Sequence, residues 1–312
     1  MEMTLQDALA RIRVLLAHRT GLKLDEKDMD TLRDVVAARL AATGVAEAAY
    51  CQLLEADSGA SGDEWKELVG RLTVGESYFF RDAGQFELLR HWILPELIEA
   101  RKTSRTLRLW SAGCSTGEEP YSLAILLDML LPDPAGWDVS IIGTDVNRHA
   151  IHSARQGVFS AYALRSLNDD LIKARYFIQR DRHWILDEAI RARVRFEYGN
   201  LVADSFPVYS TQLHDMDLIL CRNVFIYFDH EAIALVLPKL VNTLRLGGYL
   251  LTGHGELIGQ NPGLLHTRLY PESVVYQRVA GGGETRIPHI PHPPVPMPQV
   301  ISIAEQRPAP AR

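Results

Sequence analysis

The stretch RLWSAGCSTGEEPYSLAILL, residues 108 to 127, joins an apolar run to a turn of small residues, then to two adjacent glutamates, a proline and a second apolar run. The pattern reads as a buried strand that opens into a tight turn, with a helix beginning at Glu118 and Glu119. A carboxylate at a helix N-terminus is favoured by the helix dipole, by about 0.3–1 kcal/mol. That accounts for one glutamate. A second at the same place asks for a different partner.

After Arg105 the sequence alternates short β-rich runs with helical ones: LRLWSA, a helix over 120–131, VSIIGTD, a helix over 147–156, then VRFEYGN, DLILCRN, a helix over 230–245 and GYLLTG. Such alternation predicts an α/β fold, a parallel sheet with helices on both faces. Ligands in these sheets sit beyond the carboxyl ends of the strands, at the switch point. A dinucleotide fold would place GxGxxG after its first strand. The turn here is AGCSTGEE, whose carboxylates repel a pyrophosphate and suit a cationic or zwitterionic ligand. The second strand ends in Asp145, a position that commonly accepts hydrogen bonds from ribose hydroxyls, although Asp145 could equally cap the helix that follows. A ribose together with a positive charge describes S-adenosylmethionine.

Apolar residues at helical spacing predict an all-helical domain over 1–72, in which Gly21, Gly44 and SGASG at 58–62 mark breaks. A linker and connecting helix follow over 73–104, the sheet domain spans 105–280, and a small β flap is expected near 176–186. HTRLYP and SVVYQRV read as an antiparallel pair closing the sheet, and the Gly- and Pro-rich 281–312 as a disordered tail. The chain has 312 residues and a formal charge of -6, so charge does not point to nucleic acid. Cys51, Cys114 and Cys221 are far apart and show neither zinc-ligand spacing nor a disulfide framework, so no metal and a reducing, cytoplasmic setting are expected. The charged N-terminus excludes a signal peptide or membrane span there.

The segments TVGESYFFRD (73–82), LWSAGCSTGEEPYSLA (109–124), IIGTDVNRHAIHSARQGVF (141–159), CRNVFIYFD (221–229) and GHGE (253–256) occur in that order. Together they resemble the CheR-type chemotaxis receptor methyltransferases over about residues 5–280. The resemblance implies a Rossmann-like S-adenosylmethionine-dependent methyltransferase domain. It also implies esterification of glutamate side chains on the cytoplasmic helices of methyl-accepting receptors, with S-adenosylhomocysteine as product. A non-catalytic module that binds S-adenosylmethionine for signalling or docking is the alternative.

Carried over residue by residue, the resemblance places Gly75, Ser77 and Arg81 in the linker motif near cofactor and active site, and Ala112, Glu118 and Glu119 around the methionine moiety, with Glu119 favoured. It makes Asp145 the ribose acid, Asn200 and Leu201 the adenine-side pair, Arg222 and Asn223 the end of the fourth strand, and Tyr227 the neighbour of the transferring methyl. Arg81 and Tyr227 are the expected catalytic residues. Arg222 could instead be a structural ion-pair residue and Tyr227 packing, with Phe79, Phe80 and Phe228 in the core. Departures are Gly75 for an asparagine, Ser77 for a threonine, and GHGE for GHSE. The flap turn is short and lacks glycine, so docking through a receptor's tethering peptide is not expected. Direct recognition of receptor helices would then fall to Arg11, Arg13, Arg33 and Arg39 of the helical domain. A monomer without membrane insertion and without nucleic acid completes the expectation.

Overall fold

The ten strands of the computed structural model are β1 (Thr106–Ala112), β2 (Asp138–Asp145), β3 (Val158–Ser160), β4 (Phe177–Arg180), β5 (His183–Leu186), β6 (Val194–Tyr198), β7 (Met216–Cys221), β8 (Leu244–Thr252), β9 (Leu265–Leu269) and β10 (Val274–Arg278). The structure describes residues 3–56, 59–73, 75–167, 169–261 and 263–281, so the expected tail beyond Gly281 lies outside the described residues. Along β1, Leu107 and Leu109 enter one core cluster while Trp110 and Ala112 enter another, all fully buried. Side chains alternate across a strand, so β1 is apolar on both faces and both faces must be covered, the condition under which parallel sheets occur. The order in the main sheet is β6-β2-β1-β7-β8-β10-β9. β6, β2, β1, β7 and β8 are parallel, and β10 runs antiparallel to β8 and β9, the pair expected to close the sheet.

The helices are α1 (Leu5–Thr20), α2 (Met29–Thr43), α3 (Glu47–Glu55), α4 (Gly59–Leu72), α5 (Ala83–Leu88), α6 (Leu94–Arg101), α7 (Glu118–Leu130), α8 (Arg148–Gln156), α9 (Asp170–Tyr176), α10 (Glu188–Arg191) and α11 (His230–Thr243). A π-helical stretch, Leu89–Ile93, joins α5 to α6 into one helical run. This run packs Phe86, Leu88, Leu89, Ile93, Leu94 and Leu97 into the same cluster as β1 and α7, so the connecting helix is part of the sheet core. The other face is covered by α11 through Ile233, Val236, Leu237 and Leu240.

Helices α1–α4 form a separate core around Ile12, Leu16, Leu32, Val36, Tyr50 and Leu54. The break expected over SGASG is shorter than expected: α3 ends at Glu55 and α4 already begins at Gly59, because the docking of Trp65, Leu68 and Val69 outweighs the poor helix propensity of its first residues. Arg39 is also corrected as a surface contact. Its side chain is 14% exposed and paired with Glu64, whose carboxylate accepts a further bond from the buried Tyr50 hydroxyl at 2.7 Å. Arg11 is held by Glu55 and Arg33 by Asp30, which leaves Arg13 as the exposed arginine of that set with no ion pair among the described residues.

The flap is a three-stranded antiparallel sheet in the order β3-β5-β4, one strand more than the expected hairpin. It rests on Phe79, whose ring stacks edge-on against Phe159 and Phe177 at 4.8 and 4.9 Å. The linker motif is thereby fixed between flap and sheet, reinforced by the Phe79 amide donating to Ala163 O and the Phe80 amide donating to Ser122 Oγ.

Candidate active site

From β1 the chain moves outward to β2, and β6 follows beside it; β7 then lies on the other side of β1. The carboxyl ends of β1, β2 and β7 meet at this reversal, where an open α/β sheet leaves a crevice. A cleft of about 440 Å³ lies there, a volume in the range of small-molecule sites. Gly113 opens the turn after β1 with φ 81°, and a Cβ on it would stand 2.4 Å from Val224 Cγ2, so only glycine fits. The Gly113 and Cys114 amides both donate to Thr144 O, at 2.8 and 2.9 Å, tying the turn to the end of β2.

Asp145 ends β2 and lines the cleft. Its Oδ2 accepts from the Ser115 amide and its Oδ1 from the Asn147 amide, each at 2.8 Å. Both oxygens keep further acceptor capacity. The helix-capping role belongs to Asn147 instead, whose side chain accepts from the His149 and Ala150 amides at the start of α8. Burial pushes the Asp145 carboxyl above the usual range against the pull of these amide bonds.

The two glutamates diverge. Glu119 lines the cleft, with Oε1 accepting from Ser111 Oγ at 2.7 Å and Oε2 from Arg222 Nη1 at 2.9 Å. Glu118 is 3% exposed, accepts from Thr116 Oγ at 2.9 and 2.7 Å, and has its carboxyl pushed up by burial, opposed by the Thr116 and Ser77 hydroxyls. The same acidic surroundings, after burial itself, push the Cys114 thiol well up, so it is no nucleophile.

Arg222 is 1% exposed and uses all three nitrogens on protein partners: Gln85 Oε1, Glu119 and Arg81 O. It therefore ties Glu119 to the linker motif. Arg81 reaches the cleft with Nη1 donating to Glu76 O at 2.6 Å. Asn223 takes the left-handed conformation at φ 57° and leads into the short 3-10 turn Phe225–Tyr227. That turn is held by Glu256 of GHGE, which accepts from the Asn223 and Ile226 amides at 3.2 Å each and from Gly253 N at 2.6 Å. Tyr227 is half-buried at the cleft, and its carbonyl accepts from the Lys23 amide at 2.8 Å.

Asn200 and Leu201 also line the cleft. The Asn200 amide is committed, donating to Arg19 O and accepting from Val202 N and Ala203 N. The cleft thus gathers Ser77, Arg81, Glu119, Asp145, Asn200, Leu201, Arg222, Asn223 and Tyr227. It does not gather Gly75, Ala112 or Glu118: Ala112 sits fully buried in the core cluster behind the turn, and Glu118 turns away under it. Sequence reasoning missed one wall, the Leu22–Asp28 loop of the helical domain, which is brought in by the Leu22–Phe228 bridge and the Lys23–Tyr227 bond. Gly21 was legible as a helix stop but is also a contact, since a Cβ there would lie 2.9 Å from Ala232 Cβ.

Residues 75–272 match the family described as CheR methyltransferase, SAM binding domain. The chain belongs to the CheR methyltransferase family. Among its relatives, the chemotaxis protein methyltransferase of Escherichia coli (strain K12) is 33% identical over 263 residues, 81% of this chain and 86% of that one. The chemotaxis protein methyltransferase of Borreliella burgdorferi is 31% identical over 264 residues, 83% and 91% of the two chains. Chemotaxis protein methyltransferase 1 of Pseudomonas aeruginosa is 36% identical over 199 residues, 62% and 70%.

The cleft of this CheR family member fits S-adenosylmethionine on its own chemistry. The carboxylates of Asp145 and Glu119 line it, which suits a sulfonium and an ammonium group. Ser115, a cleft residue held at φ 49°, has a buried hydroxyl with no hydrogen-bond partner in the protein, which suits bonding to a polar ligand atom at the same turn. Among the described residues there is no His, Cys, Asp and Glu grouping able to hold a metal, and no helix long and apolar enough to cross a membrane.

Proposed function

We propose that this protein transfers the methyl group of S-adenosylmethionine to glutamate side-chain carboxylates on the cytoplasmic helical region of methyl-accepting chemoreceptors. The products are a glutamate methyl ester and S-adenosylhomocysteine, and the setting is sensory adaptation in the cytoplasm. The observation that supports it most is one cleft lined by the acids Asp145 and Glu119 together with Arg81 and Tyr227. The relatives' names carry the setting in chemotaxis.

S-adenosylmethionine supplies an electrophilic methyl group on a positively charged sulfur. Asp145 accepts from the ribose hydroxyls, Glu119 faces the α-amino group, and Leu201 offers apolar surface on the adenine side. Arg222 holds Glu119 in place, because its own nitrogens are all engaged. An acceptor glutamate with an ordinary pKa near 4.3 is ionised at neutral pH and needs no general base. What remains is alignment, from which much of an effective-molarity gain derives. Arg81 has guanidinium donors left beyond its bond to Glu76 O, and these orient the acceptor carboxylate. The Tyr227 side chain closes the site beside the transferring methyl.

The helical domain contributes a wall of the cleft and meets the receptor directly, the protein acting as a monomer. The flap's β4–β5 connection is only Asp181 and Arg182, with no glycine, so we infer no docking of a tethering peptide there. The assignment is tested by mass spectrometry of a receptor cytoplasmic fragment after incubation with the protein and S-adenosylmethionine. A one-methylene mass gain mapped to glutamates supports it, and an unchanged fragment contradicts it.

A further inference from the structure

The linker from Gly75 to Tyr78 is neither helix nor strand, yet Glu76 and Ser77 line the cleft. Its place is therefore set by what its groups touch. Arg165 follows the short 3-10 turn Ala161–Leu164, which comes directly after β3 of the flap. Its guanidinium carbon lies 3.6 Å from the centre of the Tyr78 ring and 3.7 Å from that of Tyr162. Nη2 donates to Glu76 Oε1 at 3.1 Å and Nη1 to Tyr162 O at 3.0 Å. The ion pair is exposed on the Glu76 side and alone would hold little, but a guanidinium packed over aromatic rings gains further from them. Arg81 uses the same two linker residues: its Nη1 donates to Glu76 O at 2.6 Å, and its guanidinium carbon lies 5.8 Å from the centre of the Tyr78 ring.

We propose that Arg165 is a positioning residue for Arg81: held on Tyr78, Tyr162 and Glu76, it fixes the Glu76 peptide whose carbonyl holds the Arg81 guanidinium, so that the turn after β3 sets where Arg81 meets the acceptor carboxylate. The inference rests on the reading above in which Arg81 orients that carboxylate. The Phe79 amide, donating to Ala163 O at 2.8 Å, fastens the linker to the same turn, so the flap side and the linker move as one piece. Misplacing an orienting group by about 1 Å costs up to about a hundredfold in rate, so loosening at Glu76 is felt in turnover. A lysine does not substitute, because its ammonium is a point charge without the planar fork that stacks on rings and pairs with a carboxylate at once.

The test measures methyl-transfer kinetics on a purified receptor cytoplasmic fragment, with calorimetric S-adenosylhomocysteine binding to show that each variant is folded. Arg165→Ala is expected to lower kcat by about fivefold or more while S-adenosylhomocysteine affinity changes by less than about twofold, and Arg165→Lys is expected to restore little of the loss. The deciding comparison repeats the change in an Arg81→Ala background. Residues that act as one unit are not additive, so there Arg165→Ala is expected to cost less than about twofold more. Glu76→Gln is the milder variant, since it breaks the pair and keeps the Glu76 carbonyl; it is expected to lower kcat by about threefold, again only while Arg81 is present. The same loss in both backgrounds, or an unchanged kcat in Arg165→Ala and Glu76→Gln, overturns the positioning role alone. Full activity of Arg81→Ala overturns the reading of Arg81 and this inference with it. Absence of transfer by the wild type, with the ligand still bound, overturns the receptor-glutamate reading as well.

Discussion

At the scale of single residues, the account turns on carboxylates held where water is scarce. Asp145 is fixed by two backbone amides and still has acceptor capacity to offer. Loss of two ribose hydrogen bonds, each worth about 0.5–1.5 kcal/mol, should weaken S-adenosylmethionine and S-adenosylhomocysteine binding in Asp145→Ala by about 5- to 150-fold. Isothermal titration checks this, and unchanged affinity would confine Asp145 to ordering Ser115 and Asn147. Arg81→Ala should act the other way, lowering kcat by about tenfold or more with a change in ligand affinity under about twofold, because in the proposed reaction its donors orient the acceptor. Equal losses in both would make Arg81 a ligand contact only. Glu119 was separable from Glu118 only in three dimensions. Adjacent residues on a helix point about a third of a turn apart, and which of them meets the cleft depends on Arg222, 103 positions away in sequence.

Among the elements, the parallel strands were readable because burial on both faces makes continuous apolar runs, as in DLILC of β7, every residue of which is buried. Strand β3 was not readable: three residues, Val158–Ser160, carry too little pattern, and the strand exists because β5 offers it a partner. The start of α4 was misread for a related reason, since packing against the helical core decides it and Gly and Ser composition does not. The turn 223–227 was visible only as a motif. Its shape depends on Glu256 and on the missing side chain of Gly113, both remote in sequence. For the flap, the edge strand β4 is exposed at Ile178, Gln179 and Arg180, but its turn has no glycine to widen it. Surface plasmon resonance against an isolated receptor C-terminal pentapeptide should therefore show no saturable binding. Saturable binding in the low micromolar range would contradict the inference of direct recognition.

For the molecule as a whole, two cores meet across one cleft, and the seam is polar: Asn147 donates to Gly70 O and Thr73 Oγ, Asn200 to Arg19 O, and Lys23 to Tyr227 O. None of these long-range bonds could be read from local sequence pattern, which is why the Leu22–Asp28 wall went unseen. Carboxylates are buried at the cleft, where Asp145 lines it, and behind it, where Glu118 and Glu256 lie. Burial raises the carboxyls of Asp145, Glu118 and Glu256 above their unfolded values. A raised folded pKa means that the charged form costs stability above it, and that this cost is relieved as pH falls through it. A cationic ligand favours the charged form and draws the pKa values down. S-adenosylmethionine binding should therefore release protons on the acidic side of neutrality and weaken as pH falls through the raised carboxyl range. Calorimetry in buffers of different ionisation enthalpy checks this, and a pH-independent affinity without proton release would contradict it.

The central claim is transfer to a carboxylate oxygen, and its most direct test uses S-adenosylmethionine labelled in the methyl group, the purified protein and receptor-containing membranes. The label is expected in the receptor band and is expected to leave as methanol on mild alkaline treatment, because a glutamate methyl ester is hydrolysed where N- and S-methyl groups persist. Label that stays on the receptor through alkali, or protein that binds S-adenosylmethionine and transfers nothing, would contradict it.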